Sequence, residues 1–486
     1  MDARYLRTLS ATRLAGLIRE RRITSRQALE AHLDELVRVN PTLNAVVAER
    51  FDTARAEATL ADEAVARGDD LGPLHGVPCT IKECFALEGM PWSAGLVARK
   101  DVRAPHDATA VGRLRAAGAI PMGVTNVSEL CMWMESANRV YGRTRNPYDP
   151  SRIVGGSSGG EGAIVGAGAS PFGLGSDVGG SIRMPAFFNG VFGHKPSGGL
   201  IPNSGQFPTA DSAQALRYLT SGPICRRAED LPLLVRLLAG PDGEDEGCEA
   251  LGFANPDAVR LQDLVLLDVP DDGVTPVHAS LRRAQRAAAD HLHALGMRVA
   301  ERPFPELRRA LEIWSVLLGD ATKMPFAERL GEGTRIPVYG ELLRWVFGRS
   351  PHTFPALGLA VAEDLTHVLE RLAPKRLDEA RAAGRELREA LDHALGDDGV
   401  MLYPSYAEPA PRHVAPMLPP TRWVYTAILN VMEVPATQVP LGLESRGLPT
   451  GVQVVARRGE DARTIAVARE LERGFGGWVA PRSRAA

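Results

Sequence analysis

The sequence predicts an α/β fold with a mixed sheet and helices on its faces. Three stretches carry that expectation. Residues Ala108–Leu130 run as helix, short apolar strand (Ala119–Met122), turn and helix, the alternation expected when helices cover a sheet. Pro171–Val178 reads as a strand that breaks at Gly179-Gly180 and opens into a helix over Ile182–Phe188. After Pro420, strand-like Ala436–Leu441 and Gly451–Ala456 precede a final helix, Asp461–Phe475.

The remaining elements follow in chain order. Thr24 with Gln27 forms a capping-box pattern, and Leu29, Leu33, Leu36 and Val37 recur at helical spacing until Pro41, where the helix is expected to stop. An alanine-rich helix is expected over Asp52–Ala66. A Gly-Pro-Leu-His-Gly-Val-Pro turn at 72–78 then leads into the apolar strand Cys79–Ile81, which puts Lys82 at a strand end and His75 in the turn. Residues 140–215 lack a period and are dense in Gly, Pro and Ser, so loops are expected to fill much of this region.

Composition shifts near Pro241-Asp242-Gly243, and 242–420 reads as a helical insertion, with Arg282–Gly296 a long amphipathic helix. The chain is thus expected to be a single domain over 1–486, with a core of about 60–240 and 421–480. Within the insertion Trp314, Leu317, Leu318, Met324, Phe326, Trp345, Phe347 and Phe354 concentrate large apolar side chains. They either fill an ordinary helix-packing core or form a hydrophobic lid, about 304–356, over a substrate channel.

Composition excludes several classes. Charged residues are 24% of 486 and the formal net charge is −3, so neither a basic nucleic-acid footprint nor a polyacidic tail is present. A small, weakly charged partner is expected. Cys79, Cys84, Cys131, Cys225 and Cys248 are scattered without paired CxxC spacing, which argues against a zinc site and for reduced thiols in the cytoplasm. Met1–Arg21 alternates apolar and basic residues and has no apolar run of signal-peptide or membrane-anchor length.

Chemistry concentrates in three motifs: Lys82 in Gly76-Val77-Pro78-Cys79-Thr80-Ile81-Lys82, the run Gly155-Gly156-Ser157-Ser158-Gly159-Gly160, and Asp177-Val178-Gly179-Gly180-Ser181-Ile182-Arg183. A hydroxyl flanked by glycines can be approached closely, since no Cβ blocks it. The amides of Val178, Gly179, Gly180 and Ser181, just ahead of a helix, can converge on a developing oxyanion. A glycine-rich turn packed against a neighbouring strand, or a phosphate cradle, would read the same way, although no Lys-Ser/Thr pair follows as in a nucleotide-binding loop.

These motifs, in this order, resemble the signature of the amidase signature family. Lys82-Glu83-Cys84-Phe85, Asn146-Pro147-Tyr148, Leu402-Tyr403-Pro404-Ser405 and Phe475-Gly476-Gly477-Trp478 are similar to its fatty-acid amide hydrolase branch. The resemblance covers essentially the whole chain. It implies a twisted central sheet wrapped by helices, a Ser181 nucleophile, a Ser157 bearing a cis peptide bond, a Lys82 base and an acyl-enzyme intermediate. No cofactor or metal is implied, and the membrane-inserting amino-terminal helix of some members has no counterpart here, which implies a soluble relative. A lysine of ordinary pKa ~10.4 is neutral in only roughly one molecule in 10³ at pH 7, so service as a base requires burial or neighbours that favour the free amine.

Ser158, Asp177 and Arg183 are expected to support the loops rather than react, and Lys195 to be structural. Met132 and Trp133, with Trp314 from the insertion, are expected at a pocket for small apolar or aromatic amides; esters and carbamates, urethanes included, suit the same chemistry. Two competing assignments fit parts of the sequence. Gly155-Gly156-Ser157-Ser158-Gly159 matches the nucleophile elbow of an α/β-hydrolase esterase using Ser157, but Arg145–Pro150 is a polar turn where that motif needs a strand. A glutamine-hydrolysing amidotransferase subunit would have an aspartate three residues before Gly222-Pro223, where this chain has Leu219.

Overall fold

The computed structural model describes residues 1–300, 302–372, 374–415 and 421–482, with only the backbone of 367–372. Its centre is one eleven-stranded sheet. In chain order the strands are β1 (Val46–Glu49), β2 (Pro78–Lys82), β3 (Ile120–Thr125), β4 (Phe172–Asp177), β5 (Phe192–Lys195), β6 (Thr220–Cys225), β7 (Val265–Asp268), β8 (Arg298–Ala300), β9 (Gly399–Tyr403), β10 (Ala436–Leu443) and β11 (Pro449–Val455). Across the sheet they lie β1-β3-β2-β4-β6-β5-β10-β11-β9-β7-β8. The sheet is mixed: β2 runs parallel to β3 and β4, β6 antiparallel to β4 and β5, and β9 parallel to β7.

Ten helices matter for the argument: α1 (Ser25–Leu43), α2 (Phe51–Arg67), α3 (Thr109–Ala116), α4 (Gly159–Gly166), α5 (Arg183–Phe188), α6 (Ala279–Ala294), α7 (Ala310–Ala321), α8 (Phe354–Leu372), α9 (Val424–Val431) and α10 (Asp461–Phe475). Thr24 accepts from the Gln27 amide and the Gln27 side chain accepts from the Thr24 amide, so the capping box forms. The helix does not stop at Pro41. It runs to Leu43, because Asn40 decides the exit: Asn40 Oδ1 accepts from the amides of Ala45 and Val46 while Asn44 turns left-handed at φ 51°.

Residues 140–215 hold more regular structure than their composition suggests. Helix α4 is half glycine, carries Glu161 beside Ile164 and Val165, and is buried along its whole length, so it shows no solvent-facing polar side and no amphipathic period. Its glycines are required by contact: a Cβ at Gly160 would lie 2.4 Å from the Asn126 nitrogen and 2.7 Å from the Ala45 oxygen. The segment 242–420, read as helical, also supplies β7, β8 and β9 to one end of the sheet; Val265-Leu266-Leu267 and Val400-Met401-Leu402 are short apolar runs of the kind that buried parallel strands show. Residues 301, 373 and 416–420 of that segment lie outside the described residues. Among the described residues no helix is long and apolar enough to cross a membrane.

The large apolar residues of 242–420 divide. Trp314, Leu317 and Leu318 pack on the core cluster beneath α7, and Phe326 is buried. Trp345 and Phe354 stack on each other at 5.0 Å, while Phe347 is exposed.

Candidate active site

Strand β2 is buried along its whole length and delivers Lys82 at its last position. Lys82 Nζ donates to Ser157 Oγ at 2.8 Å, to Ser176 Oγ at 2.9 Å and to the Ser176 carbonyl at 3.4 Å. The second partner comes from β4, whose parallel pairing with β2 sets Ile81 against Leu174 and so brings Ser176 level with the lysine. Glu161 of α4 lies below. It accepts from Thr80 Oγ1 at 2.6 Å and Thr125 Oγ1 at 2.9 Å, and Gly173 leaves it room, since a Cβ there would meet Glu161 Oε2. Burial pushes the Glu161 carboxyl up to about 8, against the opposing pull of the two threonine hydroxyls and Lys82.

Ser157 enters from the loop before α4, and its peptide bond to Gly156 is cis. Gly156 must be glycine: a Cβ would lie 2.2 Å from the Trp133 oxygen. Ser136 Oγ stitches this loop, donating to the carbonyls of Gly155 and Ser157 and accepting from the Gly159 amide. The Ser158 amide donates to the Ser181 carbonyl at 3.2 Å and Ser158 Oγ to the Ser176 carbonyl, so Ser158 joins the two serine loops and β4.

Ser181 is nearly buried and lines a cavity of ≈ 180 Å³ whose wall is almost wholly apolar. Met132 and Trp133 of the loop after β3, Trp314 of α7 and Trp423 at the start of α9 form much of that wall. Trp314 and Trp423 meet edge to face at 4.6 Å. Helix α5 starts two residues after Ser181 and is six residues long, so loop contacts, more than a helix end, shape the backbone around the serine.

Those contacts are dense. Asp177 accepts from the Gly180 amide at 2.6 Å and from the Ile182 amide at 3.0 Å, and pairs with Arg183 at 3.0 Å. Gly180 therefore departs from the expectation of a free oxyanion donor, because its amide faces a carboxylate. Burial alone would raise the Asp177 carboxyl, but Arg183 and the backbone amides over-compensate and hold it below its ordinary value. Arg183 also donates to Asn430 of α9 and Gln453 of β11, and Asn430 returns to the Asp177 carbonyl. The Val178 carbonyl accepts from Trp314 Nε1 at 3.2 Å and the Gly179 carbonyl from Thr426 Oγ1 at 3.0 Å.

Two other singled-out residues stand apart from the serines. Lys195 is buried and donates to the Pro196 carbonyl, its amine pulled down to about 7 by burial and by Arg183. His75 Nε2 contacts the Ala61 carbonyl. Sequence reasoning missed Ser176, Ser136, Thr426, Asn430, Gln453 and Trp423. Ser176 was legible as part of a strand, but nothing local marks it as a lysine partner.

Comparison with known proteins fits this geometry. A family model described as Amidase matches residues 27–465. The chain is 44% identical over 493 residues to fatty-acid amide hydrolase 2-A of Danio rerio, covering 97% of this chain and 90% of that protein. It is 43% identical over 491 residues to fatty-acid amide hydrolase 2 of Homo sapiens, covering 97% and 90%. Among solved structures, 6-aminohexanoate cyclic dimer hydrolase superposes with a TM-score of 0.80 at 28% identity, covering 98% of each chain. The family match takes in Lys82, Ser157 and Ser181 together, and with relatives this similar along nearly their full length the chain belongs to the amidase family and is an amide-hydrolysing enzyme.

Proposed function

We propose that this enzyme hydrolyses fatty-acyl and aryl amides through a Ser181 acyl-enzyme, with Ser157 and Lys82 as a proton relay. The observation that carries the reading is the 2.8 Å bond between Lys82 Nζ and Ser157 Oγ, next to a Ser181 that lines an apolar cavity. Ser181 Oγ attacks the carbonyl carbon, its proton passes to Ser157 Oγ, and Ser157 passes one to the free amine of Lys82. The amides of Val178, Gly179 and Ser181 hold the oxyanion, while Gly180 serves Asp177 and keeps the loop in shape. The relay then runs backwards and protonates the leaving nitrogen, without which an amine departs poorly. Water enters along the same path and clears the ester.

The substrate class follows from the wall and from the relatives. Met132, Trp133, Trp314 and Trp423 offer no charged clamp for a polar amino acid, and favour acyl chains or rings. Esters and small carbamates fit the same relay. The unpaired state of all five cysteines supports a reducing compartment, the cytoplasm.

A fluorophosphonate probe with peptide mapping tests the assignment: the adduct should lie on Ser181. An adduct on Ser157 would instead support an elbow-type esterase and end this reading. A panel of p-nitroanilides of rising acyl length, run beside aryl carbamates and glutamine, should show turnover rising with chain length and no ammonia release from glutamine above background.

A further inference from the structure

Two thiols sit within the site and have no part in the relay. Cys84 follows Lys82 by two residues, and its Sγ lies 3.8 Å from Ser176 Oγ, the hydroxyl that Lys82 Nζ bonds at 2.9 Å. Cys131 arrives from the loop after β3. Its thiol is near enough to Cys84 and Ser157 to interact electrostatically with both, and it lines the cavity beside Ser181. The two thiols are thus neighbours, Cys84 beside the Ser176 hydroxyl and Cys131 beside that of Ser157, the two hydroxyls that hold the lysine amine.

The backbone is bent to put Cys131 there. Leu130 and Cys131 are both left-handed, at φ 51° and 59°, a conformation that non-glycine residues adopt rarely and that surroundings must hold. The Leu130 amide donates to the Ala94 carbonyl at 2.8 Å and the Cys131 amide to the Ser128 carbonyl at 2.9 Å. The Ala94 amide in turn donates to Glu83 Oε2 at 2.8 Å. The loop carrying one thiol is therefore tied to the residue that separates Lys82 from the other.

Cys131 also differs from the remaining thiols in reactivity. Its interaction with Cys84 is the largest influence and pulls it below the ordinary thiol value against the cost of burial, with Lys82, when protonated, helping. Burial instead raises Cys79, Cys225 and Cys248, and none of these three lines the cavity.

We propose that Cys131 is an oxidation site for peroxides that enter the substrate cavity, with Cys84 as its resolving thiol, and that the resulting disulfide switches hydrolysis off. The thiolate sulfur of Cys131 attacks one peroxide oxygen, the O–O bond breaks, and the departing oxygen, once protonated, leaves as water from hydrogen peroxide or as an alcohol from an organic hydroperoxide. The sulfenic acid on Cys131 is then attacked by Cys84 sulfur; the S–O bond breaks and a water carries away the oxygen and the Cys84 proton. The dithiol loses two electrons and the peroxide gains them. Joining the sulfurs takes Cys84 off Ser176 and Cys131 away from Ser157, and draws the Cys131 loop across the relay. Thiol reductants restore the dithiol and the activity.

The shut-off rests on the Lys82–Ser157 reading, whereas the bond itself does not, so the two are read separately. Purified full-length enzyme is treated with hydrogen peroxide, blocked with N-ethylmaleimide and digested without reductant, while p-nitroanilide turnover is followed before and after dithiothreitol. The expected result is a Cys84–Cys131 crosslinked peptide, with turnover falling about tenfold or more and returning on reduction. In Cys84→Ser and in Cys131→Ser, each compared with its own untreated rate, the crosslink and the reductant-reversible loss should both vanish. Oxidation of half-buried Cys248 with Cys84 and Cys131 still free would overturn the site. A crosslink formed with turnover retained, or a reversible loss that persists in both variants, would overturn the switch. Absence of turnover in untreated enzyme that still forms the crosslink would instead count against the hydrolase reading.

Discussion

At the scale of single residues, the site depends on an amine buried among hydroxyls. Lys82 is fully buried, and its hydrogen bonds run to two serine hydroxyls and a carbonyl. Lys82→Met keeps the apolar stem and deletes the proposed proton acceptor, and should lower kcat/KM on an anilide at neutral pH by about 10³-fold with circular dichroism unchanged. Glu161 beneath it sets a pH dependence of stability. Its folded value is raised to about 8, against ~4.3 in an unfolded chain. Below the lower value both states keep the proton and the full stability is present. As pH rises toward about 8 the unfolded chain releases a proton that the fold retains, so stability declines across that window and then levels. Glu161→Gln should flatten the fall in thermal midpoint between about pH 5 and pH 8; a variant as steep as the parent would count against a protonated Glu161.

At the scale of elements, the loop between β4 and α5 is held from three directions. Trp314 of α7 binds the Val178 carbonyl, Thr426 of α9 the Gly179 carbonyl, and Asp177 the Gly180 amide. Fixing the Val178 carbonyl fixes the Gly179 amide on the opposite side of the same peptide plane, which is what an oxyanion site needs, and fixing the Gly179 carbonyl holds the Gly180 amide against Asp177. Thr426→Val preserves shape and deletes one anchor; kcat should fall about tenfold while KM changes little. An equal rise in KM would show that the threonine acts on substrate binding instead. The same loop explains Gly180, at φ 117°, where a Cβ would lie 2.1 Å from Thr426 Oγ1. Gly180→Ala should therefore yield little folded protein, since strain and overlap act together.

At the scale of the whole molecule, distant segments close over the central elements. Trp478 near the carboxy terminus donates its indole N–H to the Gly166 carbonyl at the end of α4 and lies under the Arg226 guanidinium at 5.5 Å. It is 9% exposed. Trp478→Ala should destabilise the fold by ~3–5 kcal/mol, seen as a lower thermal midpoint, with kcat per folded molecule unchanged; a variant as stable as the parent would show that this closure contributes nothing. The segment 242–420 likewise belongs to the molecule as a whole, since it extends the sheet through β7, β8 and β9 and walls the cavity through Leu311, Trp314 and Leu359.

The amino-acid order determined the strand that ends in Lys82, the glycine-flanked serines and the alternation of helix and strand, because each is written in neighbouring residues. Steric freedom at glycine and the periods of helix and strand act over a few positions. Tertiary structure alone decided that Ser176 completes the lysine's partners, that Asp177 takes the Gly180 amide, and that Asn430 and Gln453 brace Arg183 from 247 and 270 residues away. Such contacts depend on which strands pair and which helices dock, and a local pattern of side chains carries no trace of a partner so distant in the chain.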